Sequence, residues 1–490
     1  MTKNPGFGSL LDDAGIQTGF LGLFCLTVFF TRLGLNGMAN YDDCFYAHEA
    51  KEILRTGQWS VLHYNGVPSF HNAPLFIWMV ALAYKVFGVS VFAAKFSSAL
   101  MGLCSVLAVY FLGRVLLGSW SGFISALVLA TTYPFLKYSR HAMLDVTQSF
   151  FVILAMAALV LALRKDSRFF WLWGLGIGLA ILAKSMFGLF PFIVTVLFLL
   201  LTRRSKTLFD IHFLGGMALF IAMASAWVWT QYQAGGQEFI NMHFKFIIMD
   251  KVRGTTEPWT AHLGLFKDLA IFYWPWLPLA VYGLLLLFKG ELKDKDATVL
   301  LLLWSLTVLI VMSFMSTHYL WYLMQSFPAL ALVSGYAASR LITREKSRLA
   351  LIRGSMALGL CAVFLLNALP IPLDKDREKD TRILAPYVKH FADKGARVIA
   401  MRDGFYELNN ALLFFSDHAA DPFYEKAEDV GKAFDSKNPV ICLAHKGDIT
   451  DLNNAVKEWY PVKYAENRIL IANQKLDTSE VQTWGELWEK

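Results

Sequence analysis

The sequence predicts an α-helical protein that crosses a membrane many times and ends in a small α/β domain. Of its 490 residues, 56% are hydrophobic and only 17% are charged, whereas soluble domains are about a quarter charged. Apolar runs near the roughly 20 residues needed to cross a bilayer recur between residues 19 and 369 and then stop. We therefore predict a transmembrane domain over residues 1–372 and a soluble domain over residues 373–490.

The positive charge of the chain lies in short connections between the apolar runs. The net charge is +7, a value that would also suit a nucleic-acid partner. The basic residues, however, gather at 164–168, 203–206, 289–295 and 340–353. Such clusters mark the cytoplasmic side of a membrane protein. We therefore predict contact with membrane lipids, no nucleic-acid partner, and a C-terminal domain outside the cytoplasm.

Placing the basic clusters in the cytoplasm gives about 11 crossings, and up to about 13 if further short segments also cross. The predicted spans are 19–35, 93–113, 119–137, 144–163, 169–183, 187–201, 208–230, 265–288, 297–315, 319–339 and 350–369. Segment 74–84 is apolar but short, and a crossing there would invert the map, so we interpret it as a half-inserted or surface helix. The outer loops then include 36–73 and 231–262.

The C-terminal region alternates between two patterns. Residues 396–401, 439–444 and 468–472 are typical of strands, and helical patterns at 384–394 and 449–459 lie between them. This alternation favours a small α/β domain. The sequence contains no glycine-rich phosphate loop and no hydrolase serine elbow.

Two adjacent acids, Asp42 and Asp43, follow the first apolar stretch in outer loop 36–73. Apolar residues at helical spacing after Asp43 predict a surface helix. Capping of that helix would explain one aspartate but not its neighbour. Alternatively, a carboxylate shielded by lipid and aromatic side chains becomes more basic and can act as a general base. Both aspartates are therefore candidate catalytic residues.

Two further residues at outer membrane boundaries, His71 and Asp145, are candidate ligands of a divalent metal ion. Imidazole nitrogen and carboxylate oxygen together suit a transition metal. Two ligands are too few to define a site, and the alternative is a capping or hydrogen-bonded pair.

Cationic and aromatic side chains at the outer boundary are candidates for holding a phosphate. Lysine acts as a point charge, whereas arginine can bind with two parallel hydrogen bonds. Contact with lipid head groups is the alternative. The main candidates are Arg140, Lys184, Lys251, Arg253, His318 and Tyr322. His243 and Lys245 in outer loop 231–262 are further cations that could hold a phosphate.

The order of these motifs resembles membrane glycosyltransferases of the dolichyl-phosphate-mannose protein mannosyltransferase type, and more closely their bacterial aminoarabinose-transferase-like relatives. Residues 42–53 follow the family pattern Asp-Glu-Ala-x-Tyr-Ala-x-x-Ala-x-Glu-Met, with Asp at its second position. Residues 65–75 follow Asn-Gly-x-Pro-x-Phe-Glu-Lys-Pro-Pro-Leu in part, and Arg140 through Asp145 match an Arg-x-x-x-x-Asp signature. Further matches lie at 183–184, 274–276, 321–322 and 327–332, so the similarity covers roughly residues 15–340.

The resemblance implies a GT-C fold in the bacterial inner membrane, with a periplasmic C-terminal domain. It implies transfer, with inversion, of a sugar from a polyprenyl (undecaprenyl) phosphate to an acceptor on the outer face. The acceptor would be a glycolipid, a glycan or a protein. In this family the first acid of the pair is the expected base, which corresponds to Asp42. The acid that ends the Arg-x-x-x-x-Asp signature corresponds to Asp145. The family carries an acid, a candidate ligand of a divalent metal ion, where this chain has His71.

Two departures from the family pattern bear on the substrate. The Glu-Lys-Pro-Pro element reads His71-Asn72-Ala73-Pro74, so a lysine suited to lipid phosphate is missing. Phe45 stands where the family often has arginine. Both departures argue against transfer of aminoarabinose to lipid A, although the general class is unaffected.

Two other classes of function remain open on the sequence. A polytopic transporter or flippase for a lipid or sugar should have broken or polar spans near the bilayer midplane and paired repeats. Here the charges gather at the outer rim, which favours the enzyme. The third class is a scaffold for envelope assembly with the C-terminal domain as its active part.

Overall fold

A computed structural model describes residues 12–35, 37–38, 41–249, 264–313, 319–368, 378–402 and 405–482. Three predicted phosphate-binding residues, Lys251, Arg253 and His318, lie outside the described residues. The predicted boundary between residues 372 and 373 also lies outside them.

The first part of the chain is built almost entirely from helices. In chain order these helices are α1 Ala14–Cys25, α2 Tyr41–Thr56, α3 Leu75–Phe87, α4 Val91–Leu117, α5 Ser119–Thr131, α6 Tyr133–Ser139, α7 Leu144–Arg164, α8 Phe169–Lys184, α9 Phe190–Leu201, α10 Ile211–Phe239, α11 Gly264–Phe272, α12 Leu277–Phe288, α13 Lys295–Ser313, α14 Phe327–Leu341 and α15 Glu345–Ala368. Short 3-10 or π-helical segments join several of them, at Leu26–Phe30, Ser185–Leu189, Ser205–Phe209, Ile240–Met249 and Leu320–Gln325. A two-stranded antiparallel hairpin, β1 Leu62–Tyr64 and β2 Val67–Ser69, follows α2.

Several of these helices are long and apolar enough to cross a membrane. In the described part of the chain five stretches qualify by length and composition, namely Val91–Leu117, Leu144–Arg164, Phe169–Leu201, Ile211–Lys245 and Lys295–Ser313. Helices α11 and α12 qualify together as a sixth, although they meet at a bend of 111°. A helix rises about 1.5 Å per residue, so shorter apolar helices such as α3 and α5 do not cover the roughly 30 Å hydrocarbon core alone. The chain is therefore a membrane protein with transmembrane helices, and the number of 11 to 13 crossings stays a prediction.

The helix bundle is packed closely around aromatic side chains and small residues. Trp173 is fully buried, and its indole nitrogen donates to Thr195 Oγ1 at 3.0 Å. Helices α8 and α10 approach so closely that a Cβ on Gly174 would lie 2.0 Å from the carbonyl oxygen of Gly216. Small residues at such crossings let helix backbones pack tightly within a membrane.

The C-terminal part forms a five-stranded mixed sheet with helices on both faces. Its strands are β3 Arg397–Met401, β4 Phe423–Tyr424, β5 Val440–His445, β6 Tyr460–Tyr464 and β7 Arg468–Ala472, in the order β4-β3-β5-β7-β6. Strand β3 is parallel to β4 and β5, and β7 is antiparallel to β5 and β6. Helices α16 Lys379–Asp393 and α17 Phe405–Ser416 cover one face, and α18 Ala427–Phe434 and α19 Ile449–Ala455 cover the other. The three strand-like runs in the sequence are thus β3, β5 and β7.

The C-terminal domain rests directly on α2. Lys51 of α2 forms an ion pair with Asp417 at 2.6 Å and donates to the carbonyl oxygen of Phe414 at 3.0 Å. The Tyr64 hydroxyl of the hairpin donates to Asn410 Oδ1 at 2.5 Å. Helix α2 is therefore held between the C-terminal domain and the helix bundle.

Candidate functional site

The adjacent acids Asp42 and Asp43 occupy the first turn of α2, where carboxylates are favoured by the helix dipole. Asp43 is fully buried, and its Oδ2 lies 2.8 Å from Nδ1 of the buried His141. Asp42 is only partly buried. The two acids therefore have different environments, and partial exposure makes Asp42 the better placed of the two to reach a substrate.

A second buried pair joins the start of α7 to the end of α8. Lys184, the last residue of α8, donates to Asp145 in the first turn of α7. The Lys184 ammonium also lies 4.9 Å from the centre of the Tyr322 ring, which stacks on Phe187 at 5.6 Å. A cation over an aromatic face is held by the charge distribution of the ring. The structure thus brings together three predicted residues, Lys184, Asp145 and Tyr322.

The sharp end of α8 explains how Lys184 is aimed. Ser185 has a φ of +53°, a backbone conformation that residues other than glycine rarely adopt. Behind it, a Cβ on Gly188 would lie 2.3 Å from the backbone nitrogen of Ile181, so the 3-10 turn folds tightly back on α8. Unfavourable backbone conformations of this kind are concentrated at functional sites. Here the turn fixes the ammonium at the helix end.

Tyr46, one turn beyond Asp42 on α2, lies within electrostatic reach of both groups. Burial raises the pKa of Tyr46 well above its usual value, and the nearby carboxylates of Asp42, Asp145 and Glu49 and the Tyr322 hydroxyl raise it further. Each of these groups disfavours a second negative charge beside it. These shared effects indicate that Asp42 of α2, Asp145 of α7 and Tyr322 all lie near Tyr46.

Sequence reasoning missed a further carboxyl group, Glu49. Its side chain is fully buried, and its two oxygens accept hydrogen bonds from Ser69 Oγ at 2.7 Å and Asn72 Nδ2 at 2.9 Å. Burial raises the pKa of Glu49 to about 7, although these two hydrogen bonds lower it in part. Glu49 follows Asp42 by seven residues and Tyr46 by three, so helical spacing places all three on one face. That spacing was the signal that could have identified it.

His71 lies in the segment that Glu49 holds. Its Nδ1 is 3.4 Å from Ser69 Oγ, and its ring meets that of Phe45 edge-on at 5.7 Å. Burial lowers the pKa of His71, which favours the neutral imidazole. Among the described residues, no group of three or more His, Cys, Asp or Glu side chains is arranged to hold a metal ion.

The predicted metal pair also fails a test of charge. The carboxylate of Asp145 is bonded to the ammonium of Lys184, and a fixed positive charge there repels a divalent cation. The residues present therefore do not fit a metal site built from His71 and Asp145, and no step of the proposed mechanism uses one.

Two predicted cations bind the protein itself. The buried guanidinium of Arg140 donates to the carbonyl oxygens of Val28, Phe29 and Thr31 at 2.9, 3.2 and 2.9 Å. These carbonyls lie at the end of the first helical stretch, where backbone oxygens lack intrahelical donors. His243 bridges two other segments, because its ring nitrogens lie 2.9 Å from the Phe70 carbonyl oxygen and 2.8 Å from Ser185 Oγ. Phosphate binding by Arg140 stays a prediction.

An aromatic wall made of Tyr138, Tyr319, Trp321 and Tyr322 adjoins the pair Lys184–Asp145. The rings of Tyr319 and Trp321 stack in parallel at 4.5 Å, and Tyr138 meets Trp321 edge-on at 6.0 Å. Tyr319 is exposed whereas Tyr322 is buried. The parallel rings of Tyr319 and Trp321 therefore place an aromatic stack beside the Lys184–Asp145 pair.

Comparisons with known proteins show which proteins this chain is similar to. A family model described as dolichyl-phosphate-mannose-protein mannosyltransferase matches residues 71–229. An uncharacterised protein of Aquifex aeolicus is 25% identical over 90% of this chain and 93% of its own length. The undecaprenyl phosphate-alpha-4-amino-4-deoxy-L-arabinose arabinosyl transferase 2 of Pseudomonas fluorescens is 27% identical over 72% of this chain and 65% of that protein.

The fold has a similarly extensive match. The crystal structure of ArnT from Cupriavidus metallidurans bound to undecaprenyl phosphate has a TM-score of 0.77 to this chain, at 16% identity, and covers 93% of this chain and 98% of that one. The helical architecture is therefore the GT-C fold of membrane glycosyltransferases. In sequence the chain is similar to the protein mannosyltransferase and aminoarabinose-transferase-like enzymes. The comparisons therefore agree with the family resemblance predicted from the sequence motifs.

Proposed function

We propose that the chain transfers a sugar from a polyprenyl-phosphate donor to an acceptor on the outer face of the bacterial inner membrane, with inversion at the sugar carbon. The observation that carries this proposal is the convergence of Asp42 with the Lys184–Asp145 pair and Tyr322 around Tyr46. The names of the Pseudomonas fluorescens relative and the Cupriavidus metallidurans structure, which both include undecaprenyl phosphate, support a donor of this class.

In this mechanism Asp42 is the general base. Its carboxylate accepts the proton of the acceptor hydroxyl as that oxygen forms a bond to the anomeric carbon. At the same time the bond from the anomeric carbon to the phosphate oxygen breaks, and its electron pair leaves on the lipid phosphate. A single displacement of this kind inverts the configuration at the sugar carbon.

Lys184 stabilises the phosphate that leaves. A preorganised cation near developing negative charge lowers the barrier, because it needs no reorganisation during the reaction. Asp145 and the Tyr322 ring hold the ammonium in place before the donor arrives. Lys251, Arg253 and His318, outside the described residues, remain predicted contributors to the same phosphate site.

Positions 45 and 72, where this chain departs from the family pattern, bear on which donor the site can bind. Asn72, where the family has lysine, donates to Glu49, and Phe45 packs between the rings of His71 and Tyr64. Neither position supplies a cation for the donor. We infer that this chain relies on other cations for the donor phosphate. The two departures argue against aminoarabinose as the sugar and lipid A as the acceptor.

Purified protein in liposomes with labelled undecaprenyl-phosphate sugars tests the proposal. We expect a water-insoluble donor to lose its label to an added envelope extract only when the protein is present. The variant Asp42→Asn should abolish transfer while donor binding persists, because only the base is removed. A matched control is Glu466→Gln on the surface of the C-terminal domain, which should transfer at the normal rate.

Two outcomes would contradict the proposal. Full activity of Asp42→Asn would remove Asp42 as the base. Binding without any turnover of a broad set of polyprenyl-phosphate sugars, together with movement of lipid across the liposome membrane, would instead indicate a flippase. Mass spectrometry of envelope glycans from cells with and without the protein would then name the acceptor.

A further inference from the structure

Glu49 is an unusual feature of α2, because it is a fully buried acid whose contacts are neutral. Glutamate is almost never fully buried unless it is paired. Glu49 is 0% exposed, and the partners of its two oxygens are the hydroxyl of Ser69 and the amide of Asn72. It also falls at a variable position of the family pattern, so the resemblance gives it no role. Burying a carboxyl without a cation is unfavourable, and a role in the site would account for it.

The two hydrogen bonds fasten one short segment to α2. Residues 69–72 lead from β2 to α3, and Glu49 holds both ends of this segment. Between the ends, the Phe70 carbonyl accepts from His243, and the His71 ring lies against Phe45 of α2. His71 therefore stands where it does because the segment is held at three points.

The face of α2 that bears Glu49 is also the face of the site. Tyr46 is three residues before Glu49 and Asp42 is seven before it, and the carboxyl of Glu49 acts electrostatically on the Tyr46 hydroxyl. A shift of residues 69–72 would therefore move His71 relative to the group proposed as the base.

We propose that Glu49 is a positioning residue for sugar transfer: it fastens Ser69 and Asn72 to α2, the helix that carries Asp42, and thereby sets the place of His71 against Phe45 of the same helix. This inference rests on the proposed function and adds a residue to it. Glu49 has no contact with the substrate in this account and acts through the segment that it holds.

Exchanging the hydrogen-bond donor at position 72 with the hydrogen-bond acceptor at position 49 tests the proposal. Glu49→Gln leaves one side-chain oxygen where there were two, and Asn72→Asp alone sets two carboxyl groups against each other. The double variant Glu49→Gln, Asn72→Asp restores a complementary pair, because the new amide can donate to the new carboxylate and its oxygen can still accept from Ser69.

We expect each single variant to lower kcat by about tenfold or more, with the KM for the donor changed by less than about threefold. The double variant should recover most of the lost kcat. A role in folding alone would not produce this pattern in variants that melt at the same temperature. Glu466→Gln serves as the surface control and should match the unaltered protein.

The outcomes separate this inference from the proposed function. If the unaltered protein transfers sugar and the double variant is no more active than Asn72→Asp, the tie between Glu49 and Asn72 is not required and the inference is wrong. If the unaltered protein transfers no sugar from any polyprenyl phosphate, the proposed function fails first. Should Asn72→Asp not fold, Ser69→Ala takes its place. An unchanged kcat in both Ser69→Ala and Glu49→Gln would overturn the inference.

Discussion

The rim of the helix bundle and the C-terminal domain treat charge in opposite ways. At the rim, the pair Asp43–His141 is almost completely buried, with exposures of 2% or less, and the pair Lys184–Asp145 is mostly buried, with exposures of 15% and 3%. In the C-terminal domain, the Lys432–Asp429 pair is exposed, at 76% for the lysine. Exposed pairs contribute little to stability, and buried pairs lose much of their attraction to desolvation. The comparison teaches that the rim pairs are poorly explained by stability and well explained by chemistry.

The strongest way to break this comparison is Lys184→Met. It leaves Asp145 buried without its cation, so we expect a loss of about 3–5 kcal/mol of stability and of at least about 100-fold in transfer rate. Thermal unfolding in detergent and transfer in liposomes measure the two effects.

A double variant, Lys184→Met with Asp145→Leu, sharpens the same comparison. Replacing a buried ion pair by apolar residues is often neutral or stabilising, so the melting temperature should recover while transfer stays lost. Recovery of both would mean that the pair serves only the fold. Loss of both would mean that the apolar pair does not pack, and Lys184→Arg would then be the informative variant.

The second prediction concerns pH and the buried acid Glu49. Its pKa in the folded protein is about 7, above its usual value of 4.5. The folded state therefore holds a proton that the unfolded state releases between these values, so the free energy of unfolding falls as the pH rises through this window. The effect amounts to about 3 kcal/mol.

Melting curves from pH 5 to pH 8 check this prediction. In Glu49→Gln the decline between pH 5 and pH 7 should become much shallower, because the titrating group is gone. A decline of the same size in both proteins would show that Glu49 does not titrate in this range. Asp380→Asn, another buried acid, but of the C-terminal domain, is a matched control that should keep the decline.

Much of the fold and part of the site were predictable from local sequence. Apolar runs predicted the membrane class, and the motifs at Asp42, Arg140–Asp145 and Lys184 predicted a family resemblance that the comparisons support. Pairing was not predictable, because His141 and Asp43 are 98 residues apart in the chain. Helix periodicity gives the face of a side chain but not the partner that packing brings to it.

The number of membrane spans also could not be predicted from local sequence. The apolar pattern predicted a break at Lys184, between spans 169–183 and 187–201, but it does not show that α11 and α12 meet at 111°. Local sequence likewise could not show that the guanidinium of Arg140 donates to backbone carbonyls 109 to 112 residues away.

The third prediction tests the boundary between the two regions. Asp417 of the C-terminal domain binds Lys51 of α2 at 2.6 Å and Lys389 of its own domain at 3.0 Å. We expect Asp417→Asn to lower stability by about 1–3 kcal/mol and to slow transfer several-fold, because α2 carries the site acids. Lys389→Gln is the control, because it keeps the ion pair between Lys51 and Asp417. It should have a smaller effect on both stability and transfer rate. Equal transfer by Asp417→Asn and the unaltered protein would mean that the domain contact does not position α2.

The smallest effect is expected at the exposed end of the comparison. In Lys432→Gln the lost partner is Asp429, and both groups face water. Such pairs contribute less than about 1 kcal/mol, and salt screens them. Melting temperature and transfer rate should therefore stay within error at 0.15 M salt. A change of several degrees, or any loss of transfer, would show that surface charge on the C-terminal domain does act on the enzyme, and the division between rim and surface would have to be redrawn.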